Sequence, residues 1–159
     1  KSFLEVDALL STVKGRWKHG ADVTKRAVYH HIRGALCLHN RLWSKARKRF
    51  CTSLELCQGN TLCMQLVAWN KLLLGALYAQ VNHVDDAKGL LEEAMAAAGS
   101  TLDARTKLQA ATIHKTVCKA TGDAQGCEAS TATEEQLMSF INAQQAVMRA
   151  HAPSSSTPC

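Results

Sequence analysis

Proline and aromatic residues are scarce in this sequence of 159 residues. Only two prolines occur, Pro153 and Pro158, and Phe, Trp and Tyr together make up 5% of the chain. Proline breaks helices, and β-strands are enriched in aromatic and β-branched residues. A composition poor in proline and aromatic residues therefore favours helices. Hydrophobic residues still make up 47%, which is enough for a sizeable core. An all-α fold is therefore predicted.

Motifs of catalysis and metal binding are also missing. The sequence has no Gly-rich phosphate loop, no nucleophile elbow and no C-x-x-C pair, and its seven cysteines and seven histidines do not follow zinc-site spacing. The cysteines are expected to be reduced core thiols of a nuclear or cytosolic protein. We therefore expect no enzyme activity, no cofactor and no metal.

Long uninterrupted apolar runs are absent as well. No run approaches the ~18 residues that cross a bilayer, so no contact with a membrane is expected. The most apolar segment, residues 61–80, is apolar on most sides. Such a segment is typical of a central helix with neighbours on both flanks.

The sequence does contain a repeat, and small residues at matching positions define it. Gly-Ala begins two similar strings, an alanine follows each glycine after 12 residues, and a larger apolar residue follows four residues later. The residues at these positions are Gly34, Ala46 and Phe50 in the first string, and Gly75, Ala87 and Leu91 in the second. Small residues let two antiparallel helices approach closely, while the larger residue fills the space beside them. The pattern predicts helical hairpins that stack on one another.

These hairpins are typical of a tetratricopeptide (TPR)-like α-solenoid, predicted here to have about seven to eight helices over residues 1–151. The two glycines are 41 residues apart, which exceeds the usual TPR period of about 34, so the helices are expected to be lengthened. The chain begins with Lys1 and is interpreted as the C-terminal fragment of a longer solenoid. Residues 152–159 are predicted to form a disordered tail.

Helix boundaries and buried faces follow from local signals. Asp22 is expected to cap the second predicted helix, on which Val28 and Ile32 belong to the predicted apolar side. Residues 100–103 have the form of a capping box, and residues 133–136 are expected to start the last helix. Whether residues 124–129 and the last helix form one bent helix stays open.

Positive charge is concentrated in the first third of the chain. Residues 1–50 carry twelve Lys and Arg against three Asp and Glu. Within the run at 41–49, Arg41, Lys45 and Lys48 are predicted to point outward from a helix. We call these three residues the basic face. It is interpreted either as a contact for nucleic acid or an acidic partner, or as a solvated surface.

Three strings resemble one family. Arg33-Gly34 followed by residues 43–50, WSKARKRF, is similar to an "RG…YNEAKRF" segment of the TPR subunit of the cohesin loader, the Mau-type chromatid cohesion factor family. Residues 73–75, LLG, with Asn82-His83 resemble that family's "LLG…GNH", and residues 119–124, KATGDA, resemble its "KACGNA". The strings occur in the same order as in the C-terminal portion of the family.

The resemblance implies a non-enzymatic scaffold in the nucleus. Members of that family wrap the N-terminal segment of the large HEAT-repeat loader subunit and promote loading of cohesin onto chromatin, in sister chromatid cohesion and cell division. Direct contact with DNA stays open. The alternatives are a generic TPR adaptor that binds peptides in another nuclear or cytosolic complex, and nucleic-acid binding through the basic face.

Overall fold

A computed structural model describes residues 22–150 and the isolated positions 5, 8, 11 and 12. Residues 22–150 form six α-helices and no strand, which confirms the all-α class. The helices are α1 (Val23–His39), α2 (Trp43–Cys57), α3 (Met64–Gln80), α4 (Val84–Ser100), α5 (Ala104–Thr121) and α6 (Ala124–Ala150), with a short 3-10 helix (Thr61–Cys63) before α3. The predicted count of seven to eight included a helix before residue 22, a segment in which only those isolated positions are described, and the predicted tail lies outside the described residues.

Asp residues begin three of these helices. Asp22 accepts a hydrogen bond from the Thr24 amide at 3.0 Å, as predicted. The capping box predicted at residues 100–103 is wrong, because Ser100 is the last residue of α4 and Asp103 alone caps α5. Asp123 caps α6 by accepting from the Gly126 amide at 2.9 Å.

The open question about the last two helical segments is resolved as one helix. α6 runs without interruption for 27 residues, so the predicted start at residue 133 is wrong. The Thr131 and Thr133 hydroxyls donate to the carbonyls of Cys127 and Ala129, at 2.8 and 2.9 Å. A threonine whose hydroxyl donates to the carbonyl four residues earlier is accommodated inside a helix and does not start a new one.

Consecutive helices fold back on each other across connections of two or three residues, except between α2 and α3, where six residues that include the 3-10 helix connect them. Each of α1 to α6 packs against the next, and the first helices of the three hairpins also contact one another, α1 with α3 and α3 with α5. The hairpins α1–α2, α3–α4 and α5–α6 therefore stack with their first helices side by side.

α3 is the central helix, as the sequence predicts. It packs against α1, α2, α4 and α5. By length and composition alone, residues Thr61–Gln80 would suffice to cross a membrane, which corrects the expectation that no segment comes near this limit. Contact with four helices accounts for the same composition, because a helix surrounded by others is apolar on all sides.

The buried side of α1 differs from the predicted one. Ala27 and Gly34 face the interior, whereas Val28 and Ile32 are each 40% exposed. Tyr29 and Cys37 are buried on the same helix, and the close crossing with α2 places Gly34 against Phe50. Hydrophobicity alone had favoured the opposite assignment.

Candidate functional site

The two predicted hairpin crossings are close helix contacts. A Cβ atom added to Gly34 would lie 2.5 Å from Cε1 of Phe50, and one added to Gly75 would lie 2.7 Å from Cγ of Leu91. Phe50, Leu91 and the two alanines of the pattern, Ala46 and Ala87, are completely buried. The structure thus brings each glycine against the large residue that the sequence pairs with it, and no side chain fits between them.

The third hairpin also has a close helix contact, but its glycine lies on the second helix instead of the first. Its close contact involves Gly126 on the second helix, where an added Cβ would lie 2.7 Å from Sγ of Cys118 on the first. The glycine has changed helices, so a search for the Gly-Ala pattern does not find this hairpin.

A chain of buried hydrogen bonds joins the first hairpin to the second. Asn70 of α3 is fully buried and donates to the Ser53 hydroxyl of α2 at 2.9 Å. Ser53 in turn donates to the carbonyl of Ala27 at 2.7 Å. At the other end, His31 Nδ1 lies 3.0 Å from Asn70 Oδ1. This polar chain, from Ala27 to His31 through Ser53 and Asn70, fixes the position of α3 on the first hairpin.

His31 is held in its neutral form by this environment. Burial lowers the pKa of His31 from its usual value of 6.5, and the hydrogen bond with Asn70 opposes the shift only in part. Because the unfolded chain takes up the proton first on acidification, the stability that neutral His31 provides is complete above about pH 6.5 and is lost as the pH falls below it.

Replacing His31 by glutamine is therefore expected to flatten the pH dependence of stability. Urea unfolding at about pH 7.5 and pH 5 should show a smaller loss of unfolding free energy for His31→Gln than for the wild type. His39→Gln, at an exposed position on the same helix, serves as the matched control and should keep the wild-type slope. Equal slopes for all three proteins would contradict a role for His31 protonation.

A second polar cluster joins α3 to α5. Trp69 Nε1 donates to Asp103 Oδ2 at 3.0 Å and to the Thr106 hydroxyl at 2.9 Å. Burial alone would raise the pKa of Asp103, but hydrogen bonds from Thr106, Trp69 and Gln65 outweigh it and hold this pKa below its usual value. The carboxylate that caps α5 thus also fixes the second hairpin against the third.

A Cys-His pair occurs between α4, α5 and α6, but its thiol is not activated. Cys118 Sγ lies 3.6 Å from His114 Nδ1, and His114 Nε2 lies 3.4 Å from Glu92 Oε1. Cys118 is completely buried, and this burial raises the pKa of its thiol despite the opposing charge of Lys88. A nucleophilic cysteine needs an accessible thiolate, so this arrangement favours a packing role.

The other cysteines are also free thiols. All six within residues 22–150 are unpaired, and four of them are buried. Burial, together with a hydrogen bond to Cys63, raises the pKa of Cys57 to about 12. No group of three His, Cys, Asp or Glu that could hold a metal ion occurs among the residues that the structure describes.

The basic face is exposed but does not lie on one helix. Lys45 and Lys48 are exposed on α2, whereas Arg41 lies in the preceding turn with φ of 57°. The prediction that all three belong to one helical face is wrong for Arg41, because the α1–α2 connection needs a residue in the left-handed conformation there. Within residues 22–150, none of the three forms an ion pair.

A groove runs beside this run of charge, between α2 and the C-terminal end of α3. Its volume is about 600 Å³. Trp43, Leu77 and Tyr78 provide apolar surface in it, and Arg47 and Lys48 lie at its exposed edge. We call it the basic groove. Sequence reasoning located the charges but missed the groove, because Trp43 and Tyr78 come from different hairpins.

Comparison of the chain with family models, with curated proteins and with solved structures finds no match in any of the three. The resemblance described above therefore rests on its three strings alone.

Proposed function

We propose that this chain is a TPR-like α-solenoid that acts as an interaction scaffold, and that its partner is the N-terminal segment of the large HEAT-repeat subunit of the cohesin loader. In this role it promotes loading of cohesin onto chromatin in the nucleus. The observation that carries the scaffold function is the contact of α1 with α3 and of α3 with α5. Stacked hairpins with adjacent first helices present a continuous surface, which is how repeat proteins bind extended segments.

Exposed apolar side chains on the first helices support this proposal. Val28 and Ile32 of α1 are 40% exposed, and Met64 and Trp69 of α3 are 37% exposed. Large apolar residues at the surface are suited to burial by a partner. An unfolded segment that becomes ordered on such a surface offsets its loss of entropy by burying apolar area of this kind.

The partner is named only by the resemblance of the three strings. Two of them contain the crossing glycines Gly34 and Gly75 and the residue Phe50, which occupy packing positions in the structure. A generic TPR adaptor would need the same packing residues, so it remains the alternative. Nucleic-acid binding is a second candidate, favoured by the cations Arg41, Lys45 and Lys48, which form no ion pair within residues 22–150. The DNA arm of the experiment described below separates it from protein binding.

Co-purification tests the proposed partner directly. The full chain is expected to elute from a size-exclusion column together with the N-terminal segment of the large HEAT-repeat loader subunit from the same organism. A shuffled segment of the same composition is the control and should elute separately. Equal behaviour of the two segments, or no shared elution at micromolar concentration, would contradict the proposed partner and favour the generic adaptor.

A further inference from the structure

The basic groove has the composition of a binding site for a segment that is both acidic and apolar. Trp43 and Tyr78 are half-buried, and both pack against the core cluster that contains Leu77. Arg47 and Lys48 are exposed at the edge of the groove. Aromatic surface next to arginine is the combination that dominates binding energy at protein interfaces.

The second hairpin shows how a cation at the equivalent position is neutralised. At the 41-residue period, Lys88 of α4 corresponds to Arg47 of α2. Asp123, the residue immediately before α6, corresponds to His83, the residue immediately before α4. Lys88 Nζ lies 2.7 Å from Asp123 Oδ2. In the second hairpin the cation at this position is thus neutralised by a carboxylate from the third.

That internal ion pair is well formed. The hydrogen bond from Lys88, followed by that from the Gly126 amide, lowers the pKa of Asp123 to about 2. The same hydrogen bond raises the pKa of Lys88. Both groups therefore stay charged over the whole physiological range.

The first hairpin lacks this carboxylate. His83 occupies the position that corresponds to Asp123. Its own partner is Asp86, with 3.5 Å between His83 Nδ1 and Asp86 Oδ2. Across residues 22–150, no carboxylate forms an ion pair with Arg47 or Lys48. The groove consequently combines open apolar surface with two unpaired cations.

We propose that the basic groove binds an acidic linear segment of a partner protein. Carboxylates of the segment pair with Arg47 and Lys48, as Asp123 pairs with Lys88, and an aromatic or aliphatic side chain packs against Trp43 and Tyr78. The site lies between α2 and the C-terminal end of α3, and none of the exposed apolar residues of the first helices named above lines it. It rests on the scaffold function proposed above but not on the identity of the cohesin-loader partner.

A protein segment fits this groove better than nucleic acid does. Trp43, Leu77, Tyr78 and Val81 line it with apolar surface, which an apolar side chain of a protein segment can cover. Phosphate binding without sequence preference depends on the total positive charge of a surface. It would therefore use Arg41 and Lys45, outside the groove, as readily as the two cations at its edge.

Peptide selection on the full chain tests this proposal. A phage library of random dodecapeptides is selected on the wild type after depletion on the double variant Arg47→Glu, Lys48→Glu. One enriched peptide is then synthesised with a fluorophore, and its affinity is measured by fluorescence anisotropy. We expect the enriched sequences to combine several Asp or Glu with an aromatic or long aliphatic residue.

The matched control is the double variant Arg41→Glu, Lys45→Glu, which reverses the same number of charges on exposed residues outside the groove. Binding of the selected peptide should weaken about tenfold or more in the groove variant and less than about threefold in the control. Circular dichroism and thermal melting check that both variants keep the wild-type fold, which their exposed positions allow.

Several results would overturn the proposal. They are the absence of peptides that prefer the wild type, enrichment of neutral or basic peptides, and equal weakening by both variants. A labelled 20-base-pair DNA duplex is titrated in parallel. If it binds and both variants weaken it equally while no acidic peptide is enriched, the surface binds nucleic acid instead.

The same two variants separate this proposal from the proposed partner. Loader-segment binding that survives the change at Arg47 and Lys48, while peptide binding is lost, leaves two independent sites. Failure of the loader segment to bind the wild type, with peptide selection successful, refutes the named partner and leaves the groove standing.

Discussion

Replacing Gly75 by leucine is expected to lower the free energy of unfolding by about 3 kcal/mol or more, enough to unfold much of the chain near body temperature. A Cβ at this position would lie 2.7 Å from Cγ of Leu91 and 3.4 Å from the carbonyl oxygen of Ala87. Leu91 is completely buried and cannot move aside, so the second hairpin has to open. Urea denaturation followed by circular dichroism measures the loss.

The matched control is the same substitution at Gly89, on α4 of the same hairpin. An added Cβ at Gly89 meets no atom within 4 Å, and its φ is not in the left-handed region. Because leucine has the higher helix propensity, Gly89→Leu should be neutral or stabilising by up to about 1 kcal/mol. Equal melting of the two variants would show that the close crossing of α3 and α4 is wrong.

A second variant keeps the test informative if Gly75→Leu does not fold at all. Gly75→Ala carries only the clashing Cβ, and combining it with Leu91→Ala removes the atoms that it would meet. The combined variant should be more stable than the sum of the two single losses predicts, because the two residues share one space.

The close helix contacts could be predicted from the sequence only in the two hairpins that contain the Gly-Ala pattern. Gly34 with Phe50 and Gly75 with Leu91 lie 16 residues apart in both cases, a separation set by one turn and two helix ends. Such spacing survives in a single sequence because both partners belong to the same supersecondary unit. The third hairpin keeps the close approach but places Gly126 on the other helix, and this exchange removes the pattern.

Features that join different hairpins had no such signature. Val28 and Ile32 were assigned to the core of α1 on their hydrophobicity, yet Ala27, Tyr29, Gly34 and Cys37 are the residues buried there. The basic groove likewise needs Trp43 and Tyr78 side by side, and they are 35 residues apart in the sequence. Tertiary packing decides both outcomes, and periodicity along one helix contains no information about it.

Asn70 is the clearest case of this limit. Polar residues within apolar helices are ordinarily expected at the surface, and nothing near Asn70 in the sequence indicates its partners. Its two hydrogen bonds reach Ser53, 17 residues away, and His31, 39 residues away. Only the stacked hairpins reveal that a polar chain passes through the core between them.

Removal of the Asn70 side chain is accordingly expected to destabilise the chain by about 2–4 kcal/mol, the second of the two largest effects. Asn70→Ala leaves a cavity in a completely buried position and removes the partner of His31 Nδ1. In this variant Ser53 keeps one hydrogen bond, because its hydroxyl still donates to the carbonyl of Ala27. Ser53→Ala removes a single oxygen atom and leaves a smaller cavity, so it should cost less than Asn70→Ala in the same urea titration.

Asn142→Ala, at an exposed position on α6, provides the matched control, and its change should stay within about 0.5 kcal/mol. A double-mutant cycle between Asn70→Ala and His31→Gln then tests whether the polar chain acts as a unit. Since each single variant already breaks the same hydrogen bond, the double variant should lose less than the sum of the two. Additive losses would mean that Asn70 stabilises the stack through shape alone, and the link between the first two hairpins would then rest on apolar packing.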